Sequence, residues 1–515
     1  MGVTPIALQA QTFTDLHDFN CATDGCLPEN PGTVAQGQDG NLYSTLISDT
    51  VYRITPSGAL TVIHNFSWGD GYEPYSGLTL GTDGDLYGAT ISGGSSDYGT
   101  IFKITPDGAL TTLHDFTQAE GGFPYGAPVQ GKNGTFYGVL GNLSKAYSIT
   151  LSGAFELLRR PAPYDSEAPL VLASNGILYG TTYEGGSYGY GTVFRMSLTG
   201  STTVIYNFDL THGGCPYGAL VQGSDGFLYG TAACGGSGAN SQGVVFKLST
   251  NGAITVLHEF DSTSTTDGFQ PIGGLVAATD GNFYGTTSQG ASGGSATWGT
   301  LFKITRTGTY TMLHAFDYTH GAVPLTSLAQ HTNGIVYGTA EQGGADGGGV
   351  FYSLNAGIAP FVSLVGFPVG SAGQTVEILG QGLTGTTKVK FGSGSASYTV
   401  VSDTYMTATV PTSGTTGTVT VATPGGTLKS AQTYKVVPVI TDFNPKNGPV
   451  GTKVTITGSG FRGAGSVAFG GVKATFTVNS GTHITTMVPS GAVTGEVKVT
   501  TKGGSATSSG TFTVT

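Results

Sequence analysis

Charge is scarce in this sequence: only 10% of its 515 residues are Asp, Glu, Lys or Arg. No stretch shows the apolar spacing of three and four residues that an amphipathic helix needs, which argues against helical and mixed α/β folds. No apolar run approaches the roughly 18 residues of a membrane-crossing helix. Cysteine is limited to four residues, with no Cys-x-x-Cys pair to suggest zinc. The acidic loops lack the spacing of a helix–loop–helix calcium site, so the residues call for no metal and no cofactor. Basic residues are few where most of the chain lies: residues 1–357 hold 10 Lys/Arg against 27 Asp/Glu, and residues 358–515 hold 10 against 4. An acidic major region argues against nucleic acid, whose binders cluster Lys and Arg.

What the chain has in abundance is glycine, 87 residues of it, and repetition. A block of the form Gly-Asp-Leu-Tyr-Gly centres on Tyr43, Tyr87, Tyr137, Tyr179, Tyr229, Tyr284 and Tyr337, at intervals of 42 to 55 residues. A period of that length marks a stacked or radial repeat. An Asp-Gly or Asn-Gly pair precedes each tyrosine and predicts a tight hairpin with both turn residues at positive φ. In residues 74–116 four strands follow one another: A over Pro74–Leu80, B over Leu86–Thr90, C over Thr100–Thr105 and D over Leu110–Phe116. Seven such units predict a seven-bladed β-propeller. The last unit lacks a strand D, and its Leu-His-x-Phe ending occurs instead at Phe13–Phe19, so the N-terminal strand is expected to close the ring and hide two sheet edges.

These motifs, Pro-Tyr-x-Gly-Leu, Asp-Gly-x-Leu-Tyr-Gly-Thr, Gly-Thr-x-Phe-Lys-Ile-Thr and Leu-x-x-Leu-His-x-Phe, resemble the GloVer tandem repeats of secreted bacterial proteins over residues 11–355. The resemblance implies export, and it carries no catalytic residues with it. Beyond Ile358 the composition turns to Thr, Val, Ser and Gly. Residues 438–461 are similar to the opening of immunoglobulin-like IPT/TIG domains, and Pro360 to Leu383 repeats the pattern more loosely. The expected organisation is all-β: a propeller over residues 1–357 and two sandwiches over 358–437 and 438–515. Such modules act as spacers or binding appendages, with cell-surface or matrix contact one use. The start of the chain resembles the small-residue end of a signal peptide, which fits a secreted protein. Cys21 and Cys26 share one loop, and Cys215 and Cys234 flank a hairpin, so two disulfides are expected.

The short A–B and C–D turns share one face of a propeller, and the long D–A and B–C loops share the other, where function concentrates. Five of nine histidines (His17, His64, His114, His258, His314) repeat at one strand-D position and read as packing or hydrogen-bonding groups. His212 and His320 fall in the D–A loops, where Asp24, Asp70 and Glu120 stand in other blades; a turn role competes there with contact to substrate. The repeat breaks at Arg159-Arg160, where Glu167 replaces the usual tyrosine, Asp165 matches Glu73, and Glu184 opens the B–C loop of the same blade. Glu167, Glu184, Asp165 and Glu73 form a candidate carboxylate pool for glycoside hydrolysis, which needs one acid and one ionised partner. Pairing of Glu167 and Asp165 with Arg159, Arg160 or Lys145 is the plainer use of the same residues. Trp68, Tyr72, Phe123, Tyr125, Tyr164, Tyr188, Tyr190, Tyr217 and Trp298 share that face as candidates to stack on sugar rings; Trp68, Tyr188, Tyr190 and Trp298, in variable loops, are better placed than the tyrosines bound to the repeat.

The favoured expectation is a secreted carbohydrate-active protein, a glycoside hydrolase acting on a polysaccharide or oligosaccharide. A non-enzymatic glycan-binding or adhesion protein is the alternative. A polysaccharide lyase, with Arg159 or Arg160 neutralising a uronate and Tyr164 taking the proton, is the third.

Overall fold

The structure of the chain, a computed structural model, describes residues 11–28, 34–141, 145–158, 166, 168–290 and 298–515. It contains two compact units, Met1–Ala359 and Pro360–Thr515.

The first unit is a seven-bladed propeller of four-stranded antiparallel sheets. Blade 2 shows the pattern: Thr79–Leu80, Leu86–Thr90, Thr100–Ile104 and Leu110–Asp115, from the inner strand A to the outer strand D. Strand B is wholly buried in this blade, and strand D only partly so. Blade 7 takes its outer strand from the N-terminus. Thr12–Asp18 lies antiparallel to Val350–Asn355, with Phe13 opposite Leu354 and a bulge between Asp15 and His17. The closure expected from the displaced Leu-His-x-Phe motif is therefore present.

Strand A is much shorter than the sequence predicts, two residues in place of the seven of Pro74–Leu80. The backbone ahead of it is used elsewhere: Tyr75 N–H donates to the Glu73 carbonyl, and Gly77 N–H to Thr45 Oγ1 of the preceding blade. Those groups cannot also serve a ladder with strand B.

The A–B hairpins differ from the expectation too. Only the glycine of each pair takes positive φ, as at Gly84 (+87°). The turn closes by Gly84 N–H to Gly81 O (3.1 Å) and Gly81 N–H to Asp85 O (2.8 Å). The aspartate is free to serve the repeat's tyrosine instead: Tyr87 Oη donates to Asp83 Oδ2 at 2.7 Å. Tyr43, Tyr229 and Tyr284 bind Asp39, Asp225 and Asp280 the same way. Where asparagine stands in the turn, its Nδ2 donates to Tyr137, Tyr179 or Tyr337 at 3.0 Å. Each tyrosine ring is buried between blades, so the phenol needs this partner.

Side chains also stitch neighbouring blades on the turn face. Gln130 of blade 3 accepts from Thr82 N–H and donates to Thr82 Oγ1 of blade 2. Gln222 and Gln330 accept from Ser174 and Thr279 N–H across the 4–5 and 6–7 junctions. Gln36 does both to Thr332 across the closing 7–1 junction.

The second unit holds two immunoglobulin-like sandwiches of identical topology, each a four-stranded sheet over a five-stranded one. A parallel edge pair joins Val369 to Lys435 in the first and Asn447 to Thr513 in the second. Alternation places Val389, Phe391, Val419 and Val421 in one core and Val454, Ile456, Val497 and Val499 in the other.

Two predictions follow from the propeller. Replacing Tyr87 by Phe keeps the ring and removes a hydrogen bond to a carboxylate. It should lower stability by about 2 kcal/mol, read as a fall in the melting temperature with unchanged circular dichroism. Asp15, on the closing strand, is pushed up to about 6 by burial and by the neighbouring Asp18 carboxylate, against the pull of His320 and His17. A raised pKa means that the folded state holds the proton more tightly; its stabilisation is complete below the unfolded pKa and is lost as pH rises through about 6. Asp15→Asn should raise the melting temperature at pH 7 and flatten its dependence between pH 4 and pH 7.

Candidate functional site: the loop face of the propeller

One backbone geometry recurs where six of the seven D–A loops descend to their inner strands. The residue before proline is left-handed at Leu27, Glu73, Phe123, Cys215, Gln270 and Val323, with φ between 53° and 58° in every case. Pre-proline sterics disfavour the right-handed helical region, and a left-handed non-glycine residue, above all a branched valine, is strained. Two hydrogen bonds hold it there. Its carbonyl accepts from the B–C loop of its own blade, as in Ile91 N–H to Glu73 O (3.1 Å) and Ala233 N–H to Cys215 O (3.1 Å). Its N–H donates to the preceding blade, as in Cys215 to Tyr190 O (2.9 Å) and Val323 to Trp298 O (2.8 Å). The strained residue is thus a clasp that fixes two loops and two blades together.

Blade 1 makes this clasp differently. Its B–C connection is only three residues, between Leu46 and Thr50, and Asp49 occupies the left-handed position that is glycine at Gly99, Gly191, Gly243, Gly299 and Gly349. The Asp49 carboxylate replaces the missing carbonyl and accepts from Glu73 N–H at 2.8 Å. Burial and the nearby Glu73 charge raise the Asp49 pKa, while that N–H pulls it down. The Glu73 carboxylate accepts from Ser92 Oγ at 3.2 Å. Asp49 escaped the sequence reading because its significance lies in a short loop and a φ angle; the signal was an aspartate where the repeat has glycine.

The same two loop positions are joined in other blades by other chemistry. In blade 5 they are Cys215 and Cys234, a disulfide with Cα atoms 5.5 Å apart; in blade 6, Gln289 Nε2 donates to Gln270 Oε1 at 2.8 Å. Cys21 and Cys26 form the second disulfide, within the loop leading to blade 1. Both expected pairings are present.

Of the candidate carboxylates, Glu73 stands in the loop leading to blade 2 and Glu184 in the B–C loop of blade 4, with blade 3 between. Glu184 is exposed, and its carbonyl accepts from Thr182 Oγ1. Asp165 and Glu167, and with them Arg159, Arg160 and Tyr164, lie outside the described residues. Lys145 donates to the Ala119 carbonyl at 2.7 Å.

The histidines hold loops. His64 Nε2 lies 3.0 Å from Asp70 Oδ2, His17 Nε2 3.1 Å from Asp24, and His258 Nε2 3.0 Å from Asp267. Burial works against ionisation of Asp70, but hydrogen bonds from Ser67 and the His64 ring outweigh it and hold the carboxyl below its usual range. In the loops that leave blades 4 and 6 a histidine stands where other blades have the acid, and its partner is an aspartate three residues earlier in the same loop. His212 and His320 sit in the loop, and Asp209 and Asp317 receive both their N–H and their Nδ1 at 2.8 to 3.1 Å. His314, without such an acid, stacks on Phe13 at 3.7 Å and is pushed down to about 4 by burial.

The aromatic candidates gather in sectors of this face. Trp68 (55% exposed) meets Tyr72 at 5.2 Å, and Tyr75 meets Tyr125 edge-on at 5.5 Å. Tyr188 (63%) and Tyr190 (39%) project from the B–C loop of blade 4, near which Tyr183 stacks on Tyr217 at 4.2 Å. Trp298 meets Tyr318 (41% exposed) at 4.9 Å. Tyr183 and Tyr318 complete two of these pairs as partners that repeat alignment alone does not single out. Among the described residues no group of three or more His, Cys, Asp or Glu is arranged to hold a metal ion.

Fold and face define a β-propeller protein with immunoglobulin-like appendages. The family model described as the Gloeobacter/Verrucomicrobia repeat matches residues 3–160 and 165–401, and the chain belongs to that family. The IPT/TIG domain model matches residues 438–514. No curated protein matches the sequence. Among solved structures the chain is similar to a streptogramin B lyase, with 18% identity, 68% of this chain and 99% of the other covered, and a TM-score of 0.49. It is similar also to virginiamycin B lyase from Staphylococcus aureus (16%, 67% and 98%, TM-score 0.47). A surface glycan-binding protein from Prevotella bryantii matches over a shorter stretch (17%, 30% and 41%, TM-score 0.22). These neighbours include both enzymes and a glycan-binding protein, and none says what this chain binds.

Asp49→Ala should leave the Glu73 N–H without its acceptor and cost about 1–3 kcal/mol. Faster hydrogen exchange at Glu73, with blade 6 unaffected, is the readout.

Proposed function

We propose that the protein is an extracellular glycan-binding protein that holds a polysaccharide or oligosaccharide across the loop face of its propeller. The observation that carries this reading is the distribution of exposed aromatics. Trp68, Tyr188, Tyr190 and Tyr318 all rise from D–A or B–C loops; Phe227, on the turn face, lies under the Lys247 ammonium at 4.1 Å. An aromatic ring with an apolar body and a polar edge suits the C–H faces and hydroxyls of a sugar. Loops held by strained clasps and a disulfide lose little entropy on binding. The two disulfides support an oxidising, extracellular compartment, and among the described residues no helix is long and apolar enough to cross a membrane.

Binding is favoured over hydrolysis by the work the described carboxylates already do. Asp24, Asp70 and Asp267 hold histidines, Asp49 accepts the Glu73 N–H, and Glu73 is engaged by Ser92. Glu184, exposed in the same blade as Tyr188 and Tyr190, is the described residue on which a hydrolase reading still rests. Lyase chemistry rests on residues outside the described set.

Calorimetric titration with a panel of neutral and acidic polysaccharides tests the proposal. Trp68→Ala and Tyr188→Ala should each weaken binding of the preferred polymer by about 5- to 30-fold, the loss of an aromatic anchor, without lowering the melting temperature. Unchanged affinity in both would refute the assignment to this face. Release of reducing ends by the parent that is abolished in Glu184→Gln would establish hydrolysis instead.

A further inference from the structure

The first sandwich carries a charge arrangement that its fold does not require. Its five-stranded sheet runs, in spatial order, Val369–Gly370, Gly426–Val436, Gly417–Thr423, Lys388–Phe391 and Gly394–Ala396. Val389, Phe391, Val419, Val421, Tyr434 and Val436 point into the core, so the residues between them face out. Those include Lys388, Lys390, Lys429 and Lys435, which are all the basic residues of this sandwich. In register, Lys390 and Lys429 flank Thr420 from the two neighbouring strands, while Lys388 and Thr427 flank Ala422. Lys390 and Lys429 therefore stand two strand spacings apart, about 10 Å, with Lys388 about 7 Å along its strand from Lys390.

Neither acid of this sandwich lies on the strands of this sheet. Of the two acids of this sandwich, Glu377 belongs to the other sheet, and Asp403 is engaged by the N–H groups of Gly382 (3.2 Å) and Thr384 (3.1 Å). Among the described residues no carboxylate lies within ion-pair distance of Lys388, Lys390 or Lys429, whereas Lys446 of the same unit pairs with Asp442. Gathering like charges on one sheet face costs stability, and a solubilising surface intersperses the two signs. The neighbours of these lysines on the sheet are Thr418, Thr420, Thr427, Thr433 and Ser395, short hydroxyl side chains that leave the ammonium groups standing clear and add hydrogen-bonding capacity.

We propose that this sheet face is a second binding surface, for a linear polyanionic glycan whose carboxylates pair with Lys388, Lys390 and Lys429 while its hydroxyls meet the threonines. Charge complementarity commits the site to an acidic polymer, and a flat sheet suits an extended chain rather than a compact ligand. This surface is independent of the propeller's loop face.

The test is titration of the full chain with polygalacturonate, a neutral β-glucan and a short DNA duplex, at low and at physiological salt. The Lys388→Gln/Lys390→Gln/Lys429→Gln variant should lose at least about tenfold in affinity for polygalacturonate and most of the salt dependence, as expected when ammonium groups displace counterions. Lys453→Gln, on the second sandwich, should leave polygalacturonate binding as in the parent. An unchanged affinity in the triple variant with an unchanged melting temperature would overturn the proposal. So would failure of the parent to bind polygalacturonate, or DNA binding as tight as that of the polyuronate.

Discussion

The loop face of this propeller depends on a strained residue before a proline. Six times around the ring a non-glycine side chain is held in the left-handed region, and its two backbone bonds tie the D–A loop to its own blade and to the one before. Each such residue costs on the order of 1–3 kcal/mol and survives only where its surroundings over-determine it. The return is a ring of loops whose positions are set by backbone, leaving side chains at the same sites free to differ. Glutamate, glutamine, phenylalanine, valine and a disulfide all occupy it without altering the frame.

The opposite face is built on a different rule. There the tyrosine of each repeat meets an aspartate or asparagine in the adjoining turn, and glutamines clasp four of the seven blade junctions. These groups recur because each blade must bury the same aromatic against its neighbour. A chain that fixes its turn face by repetition can vary its loop face, and this division confines the exposed tryptophan and tyrosines to one side.

Much of this was legible in the sequence, for particular reasons. Seven copies of the tyrosine block and a strand-D motif displaced to Phe13–Phe19 gave blade number and closure, since both depend on order along the chain. The cysteine pairs were legible because each lies within or beside one hairpin. The short strand A was not, because the residues of Pro74–Leu80 alternate like a strand while their backbone groups are claimed by Glu73 and Thr45. Positive φ at both turn residues failed because the Asp83 side chain, bound by Tyr87, stabilises a turn that needs only the glycine left-handed. The carboxylates show the limit most clearly: composition marks Glu73 as an acid on the loop face, but only geometry shows it engaged by Ser92 and set beside Asp49, a residue that reads as an ordinary loop aspartate.

The central claim is that ligand is held by the loop face and not by the turn face. Hydroxyl-radical footprinting of the full chain, with and without the polysaccharide it prefers, measures this residue by residue. The account predicts that oxidation of Trp68, Tyr188 and Tyr318 falls on addition of the polymer while that of Phe227 does not change. Protection at Phe227 with the three loop aromatics still fully oxidised would contradict it.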